Sequence, residues 1–194
     1  SESVLRIEAG RSHTLTMDTT AVIVDAPAVW NGSSLPQAYT GQGVVVGVMD
    51  VGFDVTSPNF YDTTLTATRI RRFWDQLSPD SIGSGMYVGA DYRTPEEILA
   101  YAHSHDGLIE THGTHTLGIA AGTGFDTPYR GMAYDADICI VSNAVNTDLP
   151  LIPEELLYKY TSATDVLGFK YIFDYAQEVG KPCVISFSEG SSQS

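Results

Sequence analysis

The chain has 194 residues, 43% of them hydrophobic, and a formal net charge of -14 from 24 acids against 10 bases. That is enough apolar material for a sizeable core, so wholesale disorder is excluded, and the acidity disfavours nucleic acid or an anionic membrane surface as a partner. No apolar run approaches the roughly eighteen residues of a membrane span, and no basic stretch followed by an apolar one opens the chain at Ser1.

Residues 1–40 read as a lead-in: a strand-like "TAVIVDA" at 20–26, then a surface stretch rich in Pro, Gly and Ser. The first strongly patterned element is "VVVGVMDVGFD" at 44–54, an apolar strand that ends on Asp50, where a charge is costly to bury. The β-branched and aromatic content of "TATRIRRFWDQ" (66–76) predicts a second strand. A helix is predicted over 94–104, with Thr94 as cap, Pro95 in the first turn and Glu97 closing a capping box.

"THGTHTLGIAAG" (111–122) reads as a helix of small residues ending at Gly122, and "ADICIVSN" (136–143) as another buried strand. A short helix follows at 152–160. The segment 163–180 reads as an amphipathic helix with Val166, Phe169, Phe173, Ala176 and Val179 on its apolar side and Gly180 as its stop. A last strand is predicted at 182–188. Strands alternating with helices indicate an α/β fold, a parallel sheet with helices on both faces. Ligands of such sheets gather beyond the carboxyl ends of the strands, which is where Asp50 lies.

Four of the five histidines fall in "HSHDGLIETHGTH" (103–115), beside Asp106 and Glu110. His112 and His115 share a helix face, as metal ligands would, but the glutamate of H-E-x-x-H is absent and His103 and His105 fall in a loop. The small residues Gly113, Gly118, Ala120, Ala121 and Gly122 let the helix lie close to a neighbouring backbone, fixing the side chain at its start. A histidine held that way near a buried carboxylate has what general base catalysis needs. The carboxylate fixes the tautomer and stabilises the imidazolium while the other nitrogen takes a proton.

"GVVVGVMDVGFD", "SPNF", "HGTHTLGIAAG", "GMAYDADICIV" and "VISFSEG", in that order, resemble the subtilisin-like serine proteases over residues 41–190. The resemblance makes 1–40 a lead-in and 41–194 the amino-terminal portion of a catalytic domain, truncated after the strand ending near Ser188. It implies Asp50 and His112 as two members of an Asp–His–Ser triad, with His115 structural. Ser188, Glu189 and Gly190 correspond to the strand end whose backbone pairs with the peptide substrate.

The resemblance also implies an extracellular or cell-surface location and a polypeptide substrate. It names no cofactor and leaves calcium unassigned. The family's G-T-S-M-A nucleophile block and oxyanion asparagine have no counterpart before Ser194, so the 194 residues alone are expected to be inactive. Ser188 in "SFSEG" lacks the first glycine of G-x-S-x-G and a following helix.

Departures from the family pattern are Val51, which removes a hydroxyl beside the aspartate, Ser57 before Pro58, and Tyr134 in place of a proline. The long interval between Asp50 and His112 predicts an inserted hairpin and the 94–104 helix. The competing reading is a non-catalytic peptide-binding module, or pseudoprotease, on the same fold. The family's strand order places the Asp50 strand between those of Cys139 and Cys183, which predicts two free thiols. An uncovered edge at 182–188 predicts self-association, as a dimer.

Overall fold

The computed structural model describes residues 17–83, 85–106 and 111–188. In chain order its elements are α1 (Met17–Ile23), α2 (Ala26–Asn31), β1 (Val45–Asp50), β2 (Ile70–Asp75), β3 (Ala90–Tyr92), α3 (Pro95–Tyr101), α4 (His112–Ala121), β4 (Asp137–Ser142), α5 (Ser162–Glu178) and β5 (Cys183–Phe187). Short 3-10 turns lie at Pro58–Phe60, Asn146–Leu151 and Glu154–Lys159. The strands form one sheet in the order β3-β2-β4-β1-β5. All neighbours are parallel except β3, which returns antiparallel to β2 as a hairpin.

β1 is buried along its whole length because both of its faces are covered. Val46 and Val48 join Phe53, Phe73, Leu117, Ile138 and Ile140 on the α4 side. Val45 and Met49 join Trp74, Cys139, Val141 and Ile172 on the α5 side. Strand alternation thus assigns each side chain a face, and it sends Asp50 to the α4 side. Each fully buried Val, Ile or Phe contributes about 1.5–3 kcal/mol, and these two layers hold the strand ends in place.

Arg69 ties the pieces around this sheet together from within. It is 4% exposed. Its guanidinium donates to the carbonyls of Tyr61 (3.0 Å), Ala136 (3.0 Å), Asn59 (3.3 Å) and Ala121 (2.5 Å). Burial lowers its pKa to about 10, with Asp135 opposing. It stays charged at neutral pH and satisfies carbonyls at the end of α4 and at the approach to β4 that would otherwise be orphaned.

Helix α3 carries the predicted capping box, Glu97 N donating to Thr94 Oγ1 at 3.2 Å and Thr94 N to Glu97 Oε2 at 3.0 Å. Three expectations are corrected. Residues 20–26 are not a strand: α1 covers Met17–Ile23, and Val22, Ile23 and Val24 are 68%, 77% and 57% exposed, with no strand among the described residues paired to them. The segment at 152–160 is a 3-10 turn rather than an α-helix.

The apolar face of α5 is also different. Thr164, Gly168, Ile172, Tyr175 and Ala176 face the sheet, whereas Val166 and Phe173 are 66% and 53% exposed. The reason is close approach. A Cβ at Gly168 would lie 2.6 Å from Met49 Cε, so the small residue, not the bulky ones, turns inward.

Cys139 and Cys183 lie on β4 and β5 with β1 between them, and both are free. Burial drives the Cys139 thiol well above its ordinary pKa and raises that of Cys183. Thiol titration of the folded chain should therefore give one slowly reacting equivalent, from half-buried Cys183. Denaturant should release the second. Two fast equivalents without denaturant would contradict this packing.

Candidate catalytic pair

β1 ends on Asp50 and the chain turns at once. Val51 N donates to Asp50 Oδ1 at 2.7 Å. Gly52 follows at φ +74°, a left-handed conformation that a β-branched residue resists. The turn is braced from the loop after α3. Gly52 N donates to Asp106 Oδ2 (2.6 Å), Phe53 N to Ser104 Oγ (2.8 Å), and Ser104 Oγ to Asp106 Oδ1 (2.5 Å).

The start of α4 docks on the same turn. Its cap position, Thr111, makes no side-chain cap bond. Instead Gly113 N donates to Val51 O (2.6 Å) and Thr114 N to Gly52 O (3.1 Å), so the orphan donors of the helix end are spent on the Asp50 turn. Thr114 Oγ1 also donates to Gly52 O (3.0 Å) and accepts from Asp54 N (2.8 Å). A Cβ on Gly113 would lie 2.7 Å from Phe53 Cζ and 2.8 Å from Val51 O. Only glycine lets the helix come this close.

The result is that His112 Nδ1 lies 2.7 Å from Asp50 Oδ1. Asp50 is 3% exposed and the His112 side chain 56%. A carboxylate only accepts, so Nδ1 carries the hydrogen and Nε2 is the basic nitrogen of the neutral ring. The buried end orients; the exposed end is free for proton transfer.

The other histidines go elsewhere. His103 forms an isolated bridge with Asp54, His105 N donates to Asp75 Oδ2 (2.7 Å), and His115 is exposed on α4. Among the described residues no three His, Cys, Asp or Glu side chains converge as metal ligands. Ser188 is exposed just beyond β5. Glu110, Glu189 and Gly190 lie outside the described residues.

Sequence reading overlooked Asp75 and undervalued Asp106. Asp75 ends β2 as Asp50 ends β1, so the signal was the same: an acid at the carboxyl end of a buried strand. It is fully buried and accepts from Tyr101 Oη (2.8 Å), His105 N (2.7 Å) and Leu77 N (2.9 Å). Burial nevertheless pushes its pKa up to about 6, the hydrogen bonds opposing. Burial likewise raises Asp106, against the bonds from Ser104 and Gly52.

A folded pKa near 6 against an ordinary value of 3.8 means that the folded state holds a proton the unfolded state releases. The contribution of Asp75 to stability is therefore full below pH 4 and declines as pH rises to about 6, by about 3 kcal/mol in all. Urea unfolding at pH 4 and pH 7 should show this slope. It should be missing in Asp75→Asn, and an unchanged slope there would assign it to other groups.

A family model described as the subtilase family matches residues 41–165. An intracellular serine protease of Paenibacillus polymyxa is 29% identical over 119 residues, 61% of this chain and 27% of that protein. The solved structure of the Clostridium perfringens CspB protease superposes with a TM-score of 0.60 at 27% identity, covering 87% of this chain and 33% of that one. The chain thus spans about a third or less of the length of these relatives. The extracellular location implied by the resemblance is corrected here: the relative from P. polymyxa is an intracellular protease, so kinship with these enzymes does not carry secretion with it.

Proposed function

The chain belongs to the subtilase family, and on that footing we propose that Asp50 and His112 are the orienting carboxylate and general base of a serine endopeptidase triad. The observation that supports this most is the 2.7 Å contact between a buried carboxylate and an imidazole whose other end is exposed. In this reading Nε2 of His112 takes the proton of a serine hydroxyl as it attacks a peptide carbonyl, then returns it to the leaving amine. Asp50 holds the tautomer and stabilises the imidazolium. The serine and the oxyanion donors come from polypeptide other than these 194 residues, and the exposed strand end at Ser188 borders the substrate.

The test compares the 194-residue chain with a polypeptide that also carries the serine block, against casein and a fluorophosphonate probe. The longer form should cleave and label; the shorter should do neither, for want of a nucleophile and an oxyanion hole. Labelling of a serine within residues 1–194 that His112→Ala abolishes would overturn the assignment. Failure of the longer form to label would favour the peptide-binding module.

The margin of the sheet bears on association. β5 is the last strand in the order, with Val184 65% and Phe187 38% exposed, and Phe187 packs edge-on against Phe169 of α5. Open backbone beside apolar side chains recruits a further chain. Light scattering on the 194-residue chain should report a dimer, and a monomer at high concentration would show that the margin is covered.

A further inference from the structure

Asp50, Ser142 and Asp75 form one transverse row at the carboxyl ends of β1, β4 and β2. The register pairs Ser142 with Asp50 on one side and with Asp75 on the other. Two residues earlier in each strand stand Val48, Ile140 and Phe73, all in the core layer on the α4 side, so the three polar side chains project to that side too. They are 3%, 0% and 0% exposed. A serine hydroxyl with one proton to give therefore lies between two buried carboxyl groups.

The two acids differ in what they still need. Asp75 accepts three hydrogen bonds, one on Oδ1 and two on Oδ2. Asp50 receives both of its bonds, from Val51 N and His112 Nδ1, on Oδ1. Its Oδ2 is buried with no partner, and so is Ser142 Oγ. An unmet buried acceptor and an unmet buried donor, each costing about 1–3 kcal/mol, thus sit on paired residues of adjacent strands. Ser188, beyond β5, is exposed, whereas Asp50 Oδ2 is shut off from solvent.

We propose that Ser142 is a positioning residue for His112: its hydroxyl, turned about χ1, donates to Oδ2 of Asp50. This rests on the reading of Asp50 and His112 as orienting acid and base. With Oδ2 anchored to β4 the carboxylate cannot swing about its own χ2, and Oδ1 stays aimed at Nδ1. The hydroxyl that Val51 lacks beside the aspartate is supplied from the neighbouring strand.

The experiment follows the Nδ1 proton of His112 by NMR in the 194-residue chain, which needs no catalysis. In Ser142→Ala the proton should exchange with water about tenfold faster, the equivalent of about 1.4 kcal/mol, and its resonance should move upfield. Ser142→Thr should restore both. Ser142→Cys, close in volume but a weak donor, should fall between and covers the case in which alanine unfolds the chain. Loss of stability with exchange and resonance unchanged would mean mere packing and overturn the inference while leaving the pair intact. Absence of the resonance from the unaltered chain would overturn the pair itself, and this inference with it.

Discussion

Replacing His112 by alanine, or Asp50 by asparagine, in a polypeptide that also carries the serine block should lower kcat by roughly 10⁴-fold or more, with little change in KM. The size follows from the geometry. Without the imidazole nothing takes the serine proton. With asparagine at 50, the amide can donate where the carboxylate only accepted, and the ring settles into the tautomer whose exposed nitrogen already bears hydrogen. The fold should be intact in both variants, since His112 is largely exposed and Asp50→Asn conserves volume. Steady-state kinetics beside circular dichroism checks this. A loss of only a few-fold would mean that another group serves as base.

Arg69→Ala should be among the most destabilising single changes in the chain, costing about 4 kcal/mol and lowering Tm by about 10 °C. Removing the guanidinium takes its donors from the carbonyls of Tyr61, Ala121 and Ala136 at once, while Asn59 O still accepts from Thr123 N and Oγ1, and it leaves a void beneath the end of α4. Arg69→Lys should rescue little, because an ammonium lacks the planar fork that reaches acceptors on separate segments. Urea unfolding of the two variants provides the check, and a lysine variant as stable as the parent would show that charge rather than geometry matters at this position.

The elements that carry the site were legible because their signals are local. An apolar run ending on Asp50, a capping box at Thr94–Glu97, and a small-residue helix opening on His112 each follow from a few adjacent residues, and the structure has all three. The errors arose where distant packing decides. Val22, Ile23 and Val24 have strand character, but no strand among the described residues pairs with them, and Val22 and Ile23 close α1 instead. In α5 the bulky residues suggested a face, yet Met49 leaves room only for Gly168.

The brace from Ser104 and Asp106 and the row containing Ser142 were hidden for the same reason. Which hydroxyl meets which carboxylate depends on register between strands far apart in the chain. Sequence pattern gives a strand's faces but not its neighbours.

The register of β1 also has a consequence for how the chain comes into being. Val45 pairs with Asp137 on one side and with Cys183 on the other, so β1 is made early and both of its partners late. During synthesis from the amino terminus, β1 must wait for β4 and then for β5, with long intervening loops to close at each step. Over that interval the strand "VVGVMD" is bare on both edges, and "GVVVGVM" is the kind of segment that chaperones shield and that aggregates when they do not.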